Sequence, residues 1–147
     1  MIRIISLLVM AMALTCTSWS QNTQADKILG IWLSETKEGK IRVYRVGNKY
    51  FGRLIWSKNM YAADGKTSNK DSKNENKSLR NRDLKDLVLL NNLVYDDGEY
   101  VGGTIYDPKN GSTYKCYMKP NGDRLDIRGY IGISLIGRTS VWTRVKE

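Results

Sequence analysis

The residue types that usually carry catalysis are sparse in this chain. Its 147 residues include no histidine, which excludes Ser-His-Asp and Cys-His sites as well as histidine-bearing zinc sites. Carboxylate pairs remain as a possible general acid and base, drawn either from Asp96, Asp97 and Glu99 or from Asp123 and Asp126. Each of these lies on or beside a predicted hairpin turn, where solvated aspartate is common. The sequence therefore predicts no enzyme, no metal and no cofactor, with a carboxylate-based hydrolase as the alternative.

Another group of side chains is suited to binding. Arg128, Tyr130 and Arg138 fall within one short stretch of predicted strand and loop. If they point into the interior of the fold they hold an anionic head group, and if they point outward they are ordinary surface. Trp56 and Tyr106 would form the apolar wall of such a pocket, or are plain core aromatics.

The charge of the chain offers a different class of partner. Lys and Arg number 24 against 15 Asp and Glu, a net charge of +9. The basic residues are spread along the chain and mixed with acids, which is typical of a solvated surface rather than a nucleic-acid footprint. We expect no nucleic-acid partner, and at most a weak attraction to anionic surfaces of the cell envelope.

The first 20 residues have the pattern of an export signal. Arg3 precedes an apolar stretch over residues 4–14, and the small residues Ser18 and Ser20 precede Gln21. This is the pattern of a cleavable signal peptide, and the stretch is too short to span a bilayer. We therefore expect an exported protein, periplasmic or extracellular, with residues 21–147 as its single domain. Lipidation at Cys16 is the alternative.

The elements that must position these residues are short strands. Four glycine-bearing turns separate segments of alternating hydrophobicity, and their glycines supply the positive φ that tight hairpins need. These turns are Gly47-Asn48, Asp97-Gly98, Asn110-Gly111 and Asn121-Gly122. With a first strand near residue 30 and a last near residue 142, the pattern predicts about eight strands in a small antiparallel up-and-down barrel.

Two other segments and one cysteine complete this pattern. Residues 58–78 are rich in Lys, Asn, Asp and Ser and predict a long polar loop, either a lid over one barrel mouth or a surface excursion. Its acids Asp64, Asp71 and Glu75 fit no calcium-loop spacing. For residues 79–90, helix and strand are equally supported. Cys116 is unpaired once the signal is removed, and we expect it in the core.

Two sets of motifs resemble known families. Gly30-Ile31-Trp32 with Trp142-Thr143-Arg144 is similar to the calycin signature of lipocalins and fatty-acid-binding proteins, in which an arginine from the last strand covers a tryptophan at the barrel base. A longer set resembles the bacterial exported family termed domain of unknown function 2147. That set comprises residues 30–32, 50–56, 76–82, 103–114, 125–132, 134–139 and 142–144. The calycin resemblance implies a lipocalin-like, calycin-type β-barrel with Gly30, Trp32, Trp142 and Arg144 at its base. The second resemblance implies an exported, compact β-domain and no particular activity.

These observations lead to two functional hypotheses. The first is that the barrel binds a small apolar or amphipathic molecule, including an anionic lipid-like one, because eight strands are just wide enough to hold a small ligand. The second is a non-enzymatic envelope-interaction or stress-related module whose barrel is filled by its own side chains and which acts through a basic surface.

Overall fold

Residues 24–147 are described by a computed structural model, and they form a single closed β-barrel. The predicted signal peptide and Cys16 lie outside the described residues. Eight antiparallel strands follow one another around the barrel in chain order. The strands are β1 (Gly30–Leu33), β2 (Gly39–Val46), β3 (Lys49–Ser57), β4 (Val88–Asp96), β5 (Glu99–Asp107), β6 (Ser112–Asn121), β7 (Arg124–Tyr130) and β8 (Gly137–Val145).

The prediction of an all-β, up-and-down barrel is thus confirmed. The ring is closed by the pairing of β1 with β8, where Trp32 lies opposite Arg144. The only helical segments among residues 24–147 are two 3₁₀ turns, Ala25–Ile28 and Lys77–Leu79, and neither has the length or the hydropathy to cross a membrane. The undecided segment 79–90 is irregular after the second 3₁₀ turn and becomes strand at Val88.

The hydrophobic core of the barrel is formed by inward-facing side chains of the strands. Side chains of a strand alternate between its two faces, and along β7 the buried Leu125 and Ile127 alternate with the more exposed Asp126 and Arg128. Seven strands, β1 to β7, each contribute a side chain that is 2% exposed or less, for example Trp32, Ile41, Tyr50, Leu93, Tyr100, Met118 and Leu125. The prediction that Cys116 belongs to this core is confirmed.

One end of the barrel is closed by the chain that precedes β1. Tyr100 donates its hydroxyl proton to the carbonyl of Ala25, and Trp32 donates its indole N–H to the carbonyl of Ile28 over 2.9 Å. The guanidinium of Arg144 lies 4.2 Å from the centroid of the Trp32 ring and donates to the carbonyl of Leu29 over 2.9 Å. We call this end, which also carries the β2–β3, β4–β5 and β6–β7 turns, the plugged end.

Two other residues of the calycin-like set lie at this plugged end. Gly30 has a φ of +126°, and a Cβ atom there would lie 3.1 Å from Nη1 of Arg144. Glycine is therefore required both by backbone conformation and by the space that the guanidinium occupies. Trp142 lies opposite Leu125 in the β7–β8 pair and packs against the core while remaining half-buried.

The opposite end, which we call the loop end, carries four connections of very different length. They span residues 34–38, 58–87, 108–111 and 131–136. Ion pairs link three of them, since the carboxylate of Glu38 lies 3.6 Å from Nζ of Lys58 and 2.6 Å from Nζ of Lys109. The longest and the last of these connections carry the features of functional interest.

Candidate functional site

The long loop, residues 58–87, folds back over the outer wall of the barrel. Short antiparallel bridges join Tyr61 to Ser68 and Lys70 to Asp83, so the loop has its own hairpin-like structure. Beyond the predicted limit at residue 78 it continues to Leu87, whose carbonyl accepts from the backbone N–H of Leu54 over 2.8 Å. The loop therefore extends as an ordered layer from the loop end onto β4, β5 and β6.

Asp71 anchors this layer. Its carboxylate is 1% exposed although it lies in a strongly polar stretch of the chain. It accepts hydrogen bonds from the hydroxyl of Tyr106, from Nε of Arg82 at 2.8 Å and from Nδ2 of Asn74 at 2.8 Å. Three donors around one carboxylate compensate for the loss of its hydration. Asp71 thus connects both branches of the long loop to the barrel wall.

Tyr106 is the barrel's side of this anchor. Burial, followed by the hydrogen bond to Asp71, raises the pKa of the Tyr106 hydroxyl to about 12. The hydroxyl is therefore a proton donor to Asp71 at any physiological pH. The guanidinium of Arg82 lies 5.1 Å from the centroid of the Tyr106 ring, so the same arginine contacts both the ring and the carboxylate.

A close backbone contact fixes the loop to the β5–β6 turn. Gly111 has a φ of +80°, and a Cβ atom there would lie 1.7 Å from the carbonyl oxygen of Lys73. No side chain fits at this position unless the loop moves. Next to it, the N–H of Glu75 donates to the carbonyl of Gly111 over 3.2 Å, and Ser112 donates to the carboxylate of Glu75.

A cavity of about 670 Å³ lies between the long loop and the outer wall. Its floor is formed by β4, β5 and β6, through Val88, Asn91, Tyr106 and Thr113. Tyr106 pairs with Thr113, one position beyond the pair of Ile105 with Tyr114. Because Gly103 and Ile105 take the inward positions of β5, Tyr106 and Thr113 lie on the outside of the barrel.

The roof of the cavity mixes apolar and charged groups. Leu79 and Leu87 contribute apolar surface, while Arg82 and Lys85 bring positive charge close to Asp86 and two other acids, Glu75 and Asp83. Such a lining suits a small molecule that has an apolar body and polar or charged substituents. Its charged and polar groups can make hydrogen bonds and ion pairs with such a molecule.

The five predicted ligand-binding residues occupy different parts of the barrel. Tyr106 lines the cavity beneath the long loop, whereas Trp56 is 38% exposed near the loop end of β3. Arg128 and Tyr130 alternate with Leu125 and Ile127 along β7, and so lie on the outer face of the barrel, while Arg138 lies opposite Gly129, on the inward row. Their role in binding stays a prediction.

The alternation of β7 ends earlier than its sequence pattern. The pattern groups Ile131 with Leu125 and Ile127 on the dry face, but Ile131 is 71% exposed. β7 ends at Tyr130, and residues 131–136 form a loop in which the period of two no longer applies. Arg128 reaches this loop and donates to the carbonyl of Ser134 over 2.7 Å.

The anchor of the long loop could not be identified from sequence. Asp71 and Asn74 have neighbours such as Ser72 and Lys73, whose polarity is typical of exposed loops. Their burial results from the packing of two chain segments far apart in sequence. Arg82, in contrast, belongs to the segment 76–82 that resembles the exported family, and this resemblance is the one available sign of its importance.

Comparisons with known proteins agree with this architecture. A family model described as "Uncharacterized protein conserved in bacteria (DUF2147)" matches residues 30–144. Among solved structures, the chain is similar to HP1028 of Helicobacter pylori, which is described as belonging to the lipocalin family. The TM-score is 0.70 at 25% sequence identity, and the alignment covers 82% of this chain and 84% of that one. None of the curated proteins compared matches the chain.

Proposed function

The chain belongs to the bacterial family DUF2147 and folds as a lipocalin-like barrel, and from this basis we propose that it is a non-enzymatic protein that binds a small amphipathic molecule. The cavity beneath the long loop carries the proposal. Its volume of about 670 Å³ lies within the range of ligand pockets, roughly 300–1,000 Å³. Two of its lining residues, Tyr106 and Arg82, are fixed by hydrogen bonds to the buried carboxylate of Asp71.

The location of the site differs from that expected from the barrel alone. Trp32, Leu93, Tyr100 and Met118 are all fully buried inside the ring and form part of its core. The cavity outside the wall has polar groups on both of its sides, and Leu79, 39% exposed, lines its roof. We propose that the ligand's apolar body contacts Leu79 and Val88 and that its polar groups reach Arg82 or Asp86.

Export is part of the same proposal. Residues 1–20 have the composition of a signal peptide, and a binding protein outside the cytoplasm would meet small molecules in transit through the envelope. Intact mass of the protein from the periplasmic fraction, compared with the full 147 residues, tests this. A mass that retains Met1 would contradict cleavage.

A cavity-filling variant tests the site. Thr113 is exposed on the outer face of β6 and lines the floor, so Thr113→Trp should occupy the cavity while leaving the core unchanged. Thr143 on β8 is also exposed but lies outside the cavity, and Thr143→Trp is the matched control. The probe is the amphipathic dye 1-anilinonaphthalene-8-sulfonate, followed by fluorescence titration.

We expect saturable dye binding by the wild type and by Thr143→Trp, and a loss of about tenfold or more in affinity for Thr113→Trp, because excluding even a few methylene groups has this effect. Native mass spectrometry of protein from its own envelope should show a small bound mass that is missing in Thr113→Trp. Equal dye affinity in all three proteins, or the same bound mass in all three, would overturn the proposal.

A further inference from the structure

We propose that the hydrophobic tip, residues 131–136 between β7 and β8, docks the protein onto the surface of an anionic lipid bilayer. The tip presents four aliphatic side chains to solvent: Ile131, Ile133, Leu135 and Ile136 are 71%, 58%, 84% and 68% exposed. This proposal is independent of the ligand cavity, which involves other residues.

The concentration of apolar groups in one short loop is the first observation. Single exposed hydrophobic residues are normal on a protein surface, but contiguous ones mark an interaction site. The other large exposed hydrophobics of the described chain, Val46, Trp56 and Leu79, lie on three separate elements. In the tip, four of six consecutive residues are of this kind.

The second observation is how the tip's backbone is satisfied. Arg128 donates from Nε to the carbonyl of Ser134 over 2.7 Å, from Nη2 to the carbonyl of Leu135 over 3.3 Å and from Nη1 to Oγ1 of Thr139 over 3.0 Å. Carbonyls without partners are costly once water is removed. One guanidinium thus serves two of the six tip carbonyls, and the N–H of Ile136 donates to the carbonyl of Ile133 over 3.1 Å. These bonds lower the cost of taking the middle of the tip out of water.

Aromatic residues lie directly behind the tip on the same outer wall. The rings of Tyr117 and Tyr130 pack with their centroids 6.4 Å apart, and both tyrosines are half-buried. Tyrosine is enriched at the membrane–water boundary because its ring is apolar and its hydroxyl is wet. The arrangement of an aliphatic tip followed by tyrosines thus follows the polarity gradient of a bilayer surface.

Charge identifies the kind of surface. From residue 127 to residue 146 the chain contains no acid. Of its four bases in this range, Arg128 and Arg138 lie on the strands that flank the tip, whereas Arg144 and Lys146 lie toward the plugged end. Lys115, on the neighbouring strand, lies opposite Tyr130. The acids on or beside this strand pair are Asp126, which lies on β7 opposite Val141, Glu35, which accepts from the backbone N–H of Val141, and Asp123, which pairs with Arg144 over 3.6 Å. Basic residues near an apolar insertion favour anionic head groups.

A lipid surface fits this tip better than a protein partner does. A stable protein interface buries about 800 Å² on each side, whereas a six-residue hairpin tip is narrow and protruding. A second copy of a chain with a net charge of +9 would also be repelled. A bilayer needs no matching shape, and it takes up a small apolar wedge whose base is positively charged.

Vesicle co-flotation tests the proposal with purified protein whose N-terminus is defined by intact mass. The vesicles are phosphatidylcholine alone or phosphatidylcholine and phosphatidylglycerol in equal parts. Leu135→Glu places a charge on the most exposed tip residue. Val46→Glu makes the same type of change at an exposed aliphatic residue, 61% exposed, near the β2–β3 turn at the plugged end, and is the matched control.

We expect the wild type and Val46→Glu to bind the anionic vesicles. Leu135→Glu should bind them with an affinity lower by about tenfold or more, because burying one leucine side chain contributes at least that factor. Binding of all three to neutral vesicles should be weaker. Equal binding of Leu135→Glu and Val46→Glu would overturn the proposal, as would equal binding of the wild type to neutral and anionic vesicles.

A tryptophan placed in the tip reports on its environment directly. Leu135→Trp should show a blue shift of its emission when anionic vesicles are added, and Val46→Trp should show none. Sedimentation velocity over a range of protein concentrations tests the alternative that the tip binds a second copy of the chain. Association of the wild type that is lost in Leu135→Glu, together with an unshifted Leu135→Trp emission, would assign the tip to a second copy and overturn docking on lipid.

Discussion

Replacing Asp71 by alanine should release the long loop while leaving the barrel folded. In the native structure the Asp71 carboxylate is the acceptor for Tyr106, Arg82 and Asn74, and alanine removes all three bonds at once. Asn74 is 5% exposed and Tyr106 is 6% exposed, so neither finds water without a movement of the loop. Each unpaired buried donor costs about 1–3 kcal/mol.

Two effects reduce that sum. The side chain of Arg82 is 35% exposed and can be rehydrated, and the buried charge of Asp71 no longer has to be desolvated. We therefore expect a loss of about 2–4 kcal/mol in the free energy of unfolding, measured by urea titration. Hydrogen exchange should increase in residues 58–87 and remain slow in β5, β6 and β7.

The matched control is Asp64→Ala. Asp64 lies in the same loop and accepts from the backbone N–H groups of Lys66 and Thr67, but it is exposed. Its removal should change the stability by less than Asp71→Ala does and should leave hydrogen exchange at Asn74 unchanged. A loss below about 1 kcal/mol for Asp71→Ala, or exchange that increases equally in the loop and the barrel, would refute the role of Asp71 as an anchor.

Two other predictions concern the barrel itself. Trp32→Ala should lower the free energy of unfolding by about 3–5 kcal/mol in denaturant titration, because the ring is fully buried beneath the Arg144 guanidinium. Trp56→Ala, which removes a partly exposed ring, should lower it clearly less. Equal losses would contradict the assignment of Trp32 to the plugged end. Burial raises the pKa of the Cys116 thiol to about 12 from an ordinary value near 9, and the pKa of the Tyr106 hydroxyl is also raised. As the pH rises, both groups therefore ionise at a lower pH in the unfolded chain than in the folded one. Their contribution to stability is complete below about pH 9 and is lost as the pH rises toward 12. The free energy of unfolding should therefore fall over that interval, and it should fall less steeply in Cys116→Ala. A free energy of unfolding that stays constant up to about pH 11 would contradict this.

The sequence predicted the barrel because its signals are local. The turns at Gly47-Asn48 and Asp97-Gly98 join β2 to β3 and β4 to β5, as expected from residues that tolerate positive φ. Lipocalin-like character was likewise visible in the short motifs at both ends of the domain, and the structural comparison confirms it.

The candidate sites were less predictable because they depend on contacts between distant segments. The burial of Asp71 requires Tyr106, which is 35 positions away, and no local pattern reveals such a pair. Ile131 shows the opposite case: the local alternation of β7 continues in the sequence after the strand has ended, so the alternation alone would place Ile131 on the buried face. The cavity lies outside the ring because the side chain of Tyr106 is on the outer face of β5. The pairing register of β5 with its neighbours determines that face, and the composition of the strand does not reveal it.

The pairing of the first strand with the last has a consequence for the order in which the molecule can form. Ile31 lies opposite Val145, and the plug beside it is completed by Arg144, so nearly the whole domain must be available before the ring closes. Until then β1 and β7 both present unpaired edges, and an incomplete chain exposes two strand edges that can pair with other chains. Truncations near the C-terminus should therefore prevent β8 from pairing with β1 and leave the barrel open. We expect such chains to aggregate rather than to keep partial function.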